Sequence, residues 1–321
     1  MIRTGGAVKP REARYSRPKP QGQRMILCFD IGGSRIKAAN FTDGSLVPLG
    51  DTPTPTGDFT AFTAAIARFA EGLRPKAVAI SIAGVVDPDT QRLRVANIPC
   101  ADGRRLGPEL QDALRVPVLI LNDADCFAMA EATQGAGQGH RTVFGIILGT
   151  GVGGGLVIDG RPVSGPGGFA GEWGHGPVAR TQVEGVTLPE FPCGCGLTGC
   201  LDAVCSARGI EKLHHALHGT TITSQSLLED WQSSDPQAAQ TVDVWRAILA
   251  PPLAMILNTV GASIVPVGGG LSNVSALITH LDEAVRAMIL RQTRAPLVVP
   301  ALCRIEPGLI GAAAAAEVAF A

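Results

Sequence analysis

Two glycine-rich turns carry the residue types most suited to holding a phosphate: DIGGSR (30–35) and GTGVGG (149–154). Glycine lets several backbone N–H groups approach one anion and point at it together. Asp30, Ser34 and Thr150 add oxygens of the kind a hard cation takes, so the pair suits a nucleotide with Mg²⁺. The candidate phosphate-side residues are Asp30, Gly32, Gly33, Ser34 and Arg35 in the first turn. In the second they are Gly149, Thr150, Gly151, Gly153 and Gly154. A third turn, VGGGLSN (267–273), follows a strand-like run and opens a helix, and its Gly268, Gly269 and Gly270 suit the remainder of a nucleotide. The second turn contains a G-x-G-x-x-G match, but LVIDGRPV after it is strand-like, where a dinucleotide-binding turn would open a helix. A second concentration of chemistry lies in residues 168–205, which hold Glu172, His175, Cys193, Cys195, Cys200 and Cys205. Disulfide pairing and plain buried thiols are the simplest readings of these cysteines.

The whole chain narrows the choice. It has 321 residues, 45% hydrophobic and 17% charged, with a formal net charge of −1, so no basic field points to nucleic acid or to an anionic membrane. The charge is uneven. Residues 1–24 carry seven Lys or Arg against Glu12 alone, are rich in Pro and Gly, and lack the apolar core of a secretory signal. This segment reads as disordered, and Met25 offers an alternative start. No apolar run approaches the roughly 18–20 residues of a membrane span. A cytoplasmic location follows as the expectation, and there disulfides are uncommon.

The elements that must position these groups can be read from periodicity. MILCFD from Ile26 and RIKAANFTDG predict a hairpin ending at Asp43–Gly44. Helices are predicted at 59–73, 104–114, 124–136, 206–218, 225–232, 237–260, 275–290 and 308–321. Short strands are predicted at 77–84 and 116–123, then around GTGVGGG, at SIVPV and at PLVVPAL. Strands alternating with helices make the chain α/β. Two strand–glycine turn–strand units predict two related lobes with a cleft between them. The expected lobes are residues 25–122 plus 308–321, and residues 123–307.

Together DIGGSRIK, LNDADCFAMAEA, GTGVGGGLVIDG, GEWGH, CGCGLTGCLD and VPVGGGLSN resemble the ROK family of sugar kinases, within the actin-like ATPase superfamily, from about Met25 to Ala321. The resemblance implies a two-lobed actin-like, ribonuclease H-like fold with a structural zinc site. It implies Zn²⁺ on His175, Cys193, Cys195 and Cys200. The C-x-C-x₄-C spacing, loosened by Gly194, Gly196 and Gly199, can fold three thiolates around one tetrahedral ion. Cys28, Cys126, Cys205 and Cys303 are then expected in the core. Loss of the zinc is expected to weaken sugar binding ahead of nucleotide binding, the phosphate turns being built elsewhere in the chain.

The resemblance further implies Asp123 as catalytic base, with Asn122 hydrogen-bonding a sugar hydroxyl. Asn97, Ser81, Gly84, Glu172 and His175 are implied around the sugar. Asp125, better placed than Asp123, is expected to cap the following helix. One residue departs from the family: Asp202 stands where Glu is usual, and its expected contact with the sugar's anomeric end is lost, bridged by water or rearranged. The implied reaction is phosphorylation of the 6-hydroxyl of N-acetyl-D-glucosamine by Mg²⁺-ATP in a cytoplasmic homodimer. NIPCADGRRLGPEL, NDADCFAMAE and GLSNVSALITHL carry that preference, with fructokinase, glucokinase or N-acetylmannosamine kinase as alternatives. The family's repressors place a winged helix-turn-helix ahead of the sugar domain. Only 24 residues precede the first strand, so a repressor is not expected. A non-catalytic sugar sensor is not expected either, because every phosphate turn is intact.

Overall fold

The apolar run at Ile26 folds as β1 (Ile26–Ile31), and the first glycine turn returns it as β2 (Arg35–Thr42). Asp43 and Gly44, with φ of 49° and 79°, close a second hairpin into β3 (Ser45–Pro53). Two successive positive-φ residues are what such a tight turn needs. The computed structural model describes residues 25–321, and the basic segment 1–24 with its expected disorder lies outside the described residues. The chain continues through α1 (Phe59–Ala70), β4 (Ala77–Ile82), the short pair β5 (Val85–Val86) and β6 (Leu93–Arg94), α2 (Leu106–Leu114) and β7 (Val118–Asn122). Five of these strands form one sheet in the order β3-β2-β1-β4-β7, antiparallel on the hairpin side and parallel from β1 to β7, while β5 and β6 pair with each other alone.

The second half repeats the plan. After α3 (Asp123–Gln134) come β8 (Thr142–Leu148), β9 (Val152–Ile158) and β10 (Arg161–Pro162), then the small pair β11 (Gln182–Val183) and β12 (Val186–Thr187). Helices α4 (Leu201–Cys205), α5 (Ala207–His218), α6 (Ser224–Gln232) and α7 (Pro236–Val260) follow. Then come β13 (Val265–Gly268), α8 (Ser275–Met288), β14 (Val298–Pro300) and α9 (Pro307–Ala319). The second sheet runs β10-β9-β8-β13-β14, with β8 antiparallel to β9 and parallel to β13. Position for position this is the order of the first sheet. The strand that follows the second glycine turn also disposes of the dinucleotide-binding reading.

Each sheet is covered on both faces, as buried parallel strands require. Along β1, Leu27, Phe29 and Ile31 pack with Phe62, Ile66, Leu106 and Leu110 of α1 and α2. Ile26 and Cys28 point the other way, into a core shared with α3, α9, Val143, Val157 and Ile264. The outer face of the second sheet carries the large core that α4–α8 build around Trp245. Helix α3 therefore has no wet side: Ala124 through Glu131 are all buried, and its composition shows no amphipathic stripe. Helix α9 packs its Ala312–Ala316 run between α3 and the first sheet. Of the sequence expectations, β3 went unassigned, because an edge strand with mostly exposed residues has no apolar alternation. Among the described residues, no helix is long and apolar enough to cross a membrane.

Candidate active site

The carboxyl ends of parallel strands from both sheets converge on one cleft of about 670 Å³, within the size range of small-molecule sites. Asp30 of β1, Ser81 of β4 and Asp123 at the start of α3 line one wall, and Ile147 of β8, Gly268 and Gly269 line the other. The loop 301–306 and the first residues of α9 close the end. Five residues singled out from the sequence thus meet: Asp30, Ser81, Asp123, Gly268 and Gly269. The second and third glycine turns also meet. Gly149 lies against Gly269, whose φ is 86° and where a methyl group would stand 2.5 Å from the Leu148 carbonyl. Only glycine permits that approach.

The first turn is pinned from β3's end: Thr54 Oγ donates to Gly32 O at 2.7 Å, and Thr54 N to Ser34 O at 3.0 Å. Ser34 is exposed. Arg35 pairs with Asp51 on β3 rather than standing free for a phosphate. Asn97 is exposed and leans on the turn, since a methyl group at Gly33 would lie 2.8 Å from its Cβ. Asn122 is drawn into the fold. Its Nδ2 donates to Gly84 O at 3.2 Å, and its Oδ1 accepts from Ala124 N at 2.8 Å, which makes Asn122 the helix cap in place of Asp125. The reason is geometric: a cap must precede the first turn, and Asp125 is already inside it. Asp125 is instead buried, and no described residue gives its Oδ1 a hydrogen bond.

Asp123 opens onto the cleft while protein encloses its other sides. That enclosure, with the charges of Asp30 and Glu172 nearby, raises its pKa to about 6, against the pull of the Ala124 N–H. Burial likewise pushes Asp125 up to about 7, reinforced by Glu172 and Asp123. Asp30 is also raised by burial, with the Ser81 hydroxyl at 2.8 Å and Lys37 pulling it back. A carboxylate with a pKa near neutrality is suited to accept a proton. A group raised to about 6 is protonated below that pH and charged above it. Thus kcat/KM is expected to rise about tenfold per pH unit below pH 6 and to level off above it, the limb belonging to the coupled acids as a set. A profile flat from about pH 5 to 8 would count against an ionised Asp123.

His175, Cys193, Cys195 and Cys200 come together in space, their ligand atoms all within 4.8 Å of one another. His175 Nδ1 lies 3.6 Å from Cys193 Sγ, and Cys195 Sγ lies 3.6 Å from Cys200 Sγ. Those separations are close to the edge of a tetrahedron of 2.3 Å metal–sulfur bonds, about 3.8 Å, so the four groups fit one tetrahedral cation. The other ring nitrogen of His175 faces Glu172, with Nε2 3.9 Å from Oε2. Cys28, Cys126 and Cys205 are buried as expected, whereas Cys303 is half-buried and lines the cleft. Its N–H donates to Glu131 Oε1 at 2.7 Å, and the other oxygen of that fully buried carboxylate accepts from Ala136 N. Glu131 thereby fixes the cleft's end loop.

Several cleft residues escaped the sequence reading. Lys37 stands opposite Asp30 in the β1–β2 register, and its Nζ reaches Glu306 at 2.9 Å. Counting back from the first glycine turn would have paired Lys37 with Asp30. Ser272 and Asn273 end the VGGGLSN turn already singled out, though neither was named, whereas Arg304 and Glu306 carry no comparable signal because they enter through a loop.

The ROK family profile matches residues 26–318. The chain is 36% identical to the N-acetylgalactosamine kinase AgaK of Shewanella sp. (strain ANA-3), over 82% of this chain and 87% of that protein. It is 34% identical to the N-acetyl-D-glucosamine kinase of Salmonella typhimurium, over 90% of this chain and 98% of that one. Among solved structures, the ROK hexokinase from Thermus thermophilus superposes with a TM-score of 0.79 at 30% identity, covering 92% of this chain and 98% of that chain.

Proposed function

The chain belongs to the ROK family, and we propose that this ATP-dependent sugar kinase phosphorylates the 6-hydroxyl of N-acetyl-D-glucosamine as a cytoplasmic homodimer. The observation that carries the reading is Asp123, a carboxylate with a raised pKa in the same cleft as Asp30 and the Gly268–Gly269 turn. Phosphoryl transfer asks little covalent chemistry of a protein: it needs an oriented hydroxyl, a place for its proton and a clamp on the phosphates. Asp123 accepts the hydroxyl proton as the oxygen attacks the γ-phosphorus in line, and the bond from that phosphorus to the β–γ bridging oxygen breaks to release ADP. The glycine turns would offer N–H groups to the phosphates, and Asp30 would hold the Mg²⁺ that accompanies the nucleotide and offsets its charge. Ser81 holds the Asp30 carboxylate in place. Glu172 and the free nitrogen of His175 face the sugar's far end, together with Asn97.

The Cys/His cluster is read as a structural Zn²⁺ site, closed by four protein ligands and therefore not a source of activated water. It would hold the loop that presents Glu172 and His175.

A site that hydrogen-bonds an acetamido group leaves buried partners unpaired when the sugar lacks one. Glucose and fructose are therefore expected to show kcat/KM lower by roughly 10²-fold or more than N-acetyl-D-glucosamine in a coupled ADP assay. Equal or better turnover of either would overturn the substrate assignment. The Shewanella relative favours a second reading, N-acetyl-D-galactosamine, which differs only at the 4-hydroxyl and belongs in the same panel.

A further inference from the structure

Asp202, at the start of α4, turns its carboxylate toward the second glycine turn. Its Oδ1 accepts a hydrogen bond from Val152 N at 2.8 Å. A methyl group at Gly151 would stand 2.7 Å from the same oxygen, so the carboxylate occupies the space the missing side chain leaves. Its own N–H donates to Gly174 O at 2.9 Å, and its Oδ2 lies 3.6 Å from Cys193 Sγ. Two further bonds join the same neighbourhoods. The Trp173 indole N–H donates to Gly153 O at 2.8 Å, and Ala207 N donates to Gly149 O at 2.7 Å. The Gly149–Gly154 stretch is therefore fastened by Trp173 and Asp202 to the segment that carries the Cys/His cluster, and by Ala207 to the start of α5.

We infer that Asp202 is a positioning residue for the nucleotide rather than a ligand of the sugar: it fixes the Gly149–Gly154 turn against the Cys/His loop. A turn so rich in glycine has much backbone freedom to lose. Donors held in place before binding avoid that ordering cost when the phosphates arrive. The inference rests on reading this turn as a phosphate site of an ATP-dependent kinase.

The test measures ADP affinity by titration calorimetry with Mg²⁺ present, the KM of ATP and of sugar, and metal per chain. Asp202→Ala is expected to weaken ADP and raise the KM of ATP by about tenfold, the loss of one well-made hydrogen bond to a charged acceptor. The KM of the sugar should stay within about twofold and the metal content unchanged. Asp202→Asn keeps the acceptor oxygen and should restore ADP affinity to within about twofold of the wild type. Gly151→Ala displaces the same carboxylate and should reproduce the alanine phenotype without adding to it. If Asp202→Ala loses its metal or its fold, the contrast between Asp202→Asn and Gly151→Ala decides. A raised sugar KM with ADP affinity intact would make Asp202 a sugar ligand and overturn the inference. An Asn variant as weak for ADP as the Ala variant would overturn it too. A wild-type protein that binds no ADP would bring down the kinase reading itself, a result distinct from either.

Discussion

Asp123→Asn is expected to lose all but about a hundredth of phosphoryl transfer, and as much as 10⁴-fold, while sugar and nucleotide still bind. The amide is nearly isosteric, and its oxygen can still accept the Ala124 N–H that the carboxylate accepts at 2.9 Å, so α3 should start unchanged. What disappears is the place for the hydroxyl proton. The deficit should therefore fall on kcat, with sugar affinity measured directly by calorimetry changing little. A variant that keeps more than about a tenth of the wild-type turnover would point to another base. Asp30 and Glu172, whose charges already act on Asp123, would be the first to examine.

Cys200→Ser should have the second largest effect. Cys200 is fully buried, its sulfur accepts from Gly176 N at 3.3 Å, and α4 begins at the next residue. Losing this ligand is expected to leave well under one zinc per chain by elemental analysis. A metal held at a thousand times its dissociation constant stabilises the fold by about 4 kcal/mol. At about 2–4 °C per kcal/mol for a domain this large, the melting temperature should fall by roughly 10 °C. Catalytic efficiency should fall at least about 10²-fold, because Glu172 and His175 lose their support. The sequence alone suggested that nucleotide binding would outlast sugar binding, since the phosphate turns lie elsewhere in the chain. Trp173 on Gly153 and Asp202 on Val152 remove that premise, and both affinities should decline together. A zinc-free variant with normal turnover and melting would refute a structural metal.

The contrast between what was legible and what was not has a local explanation. Strand–glycine turn–strand units announce themselves through alternation and glycine, and they led to β1–β2, β8–β9 and the paired sheets. The Cys/His cluster was legible through the family resemblance, which puts His175 together with the three cysteines of the C-x-C-x₄-C run. Side-chain commitments were not legible. Nothing in NDAD says that Asn122 serves Gly84 and Ala124, or that Asp125 is buried inside the first turn rather than capping it. Arg35 looked available for phosphate until β3, an edge strand with little sequence signal, brought Asp51 beside it. The loop 301–306 is held at the cleft by groups remote from it in sequence, Glu131 on Cys303 N and Lys37 on Glu306, which no local pattern announces.

The shared core between the sheets bears on how the chain is made. Ile26, Cys28, Ala39 and Phe41 belong to the first strands to leave the ribosome, yet part of their cover is the Leu309–Ala316 stretch of α9, translated after every strand of both sheets. Until that helix arrives, one face of the first sheet stays open to water, and so does the side of α3 that α9 will cover. Contacts this remote in sequence are slow to form, and a waiting apolar face is prone to stick to other chains. The first sheet is thus obliged to complete its packing after synthesis, with the order of assembly written into the position of a single alanine-rich helix.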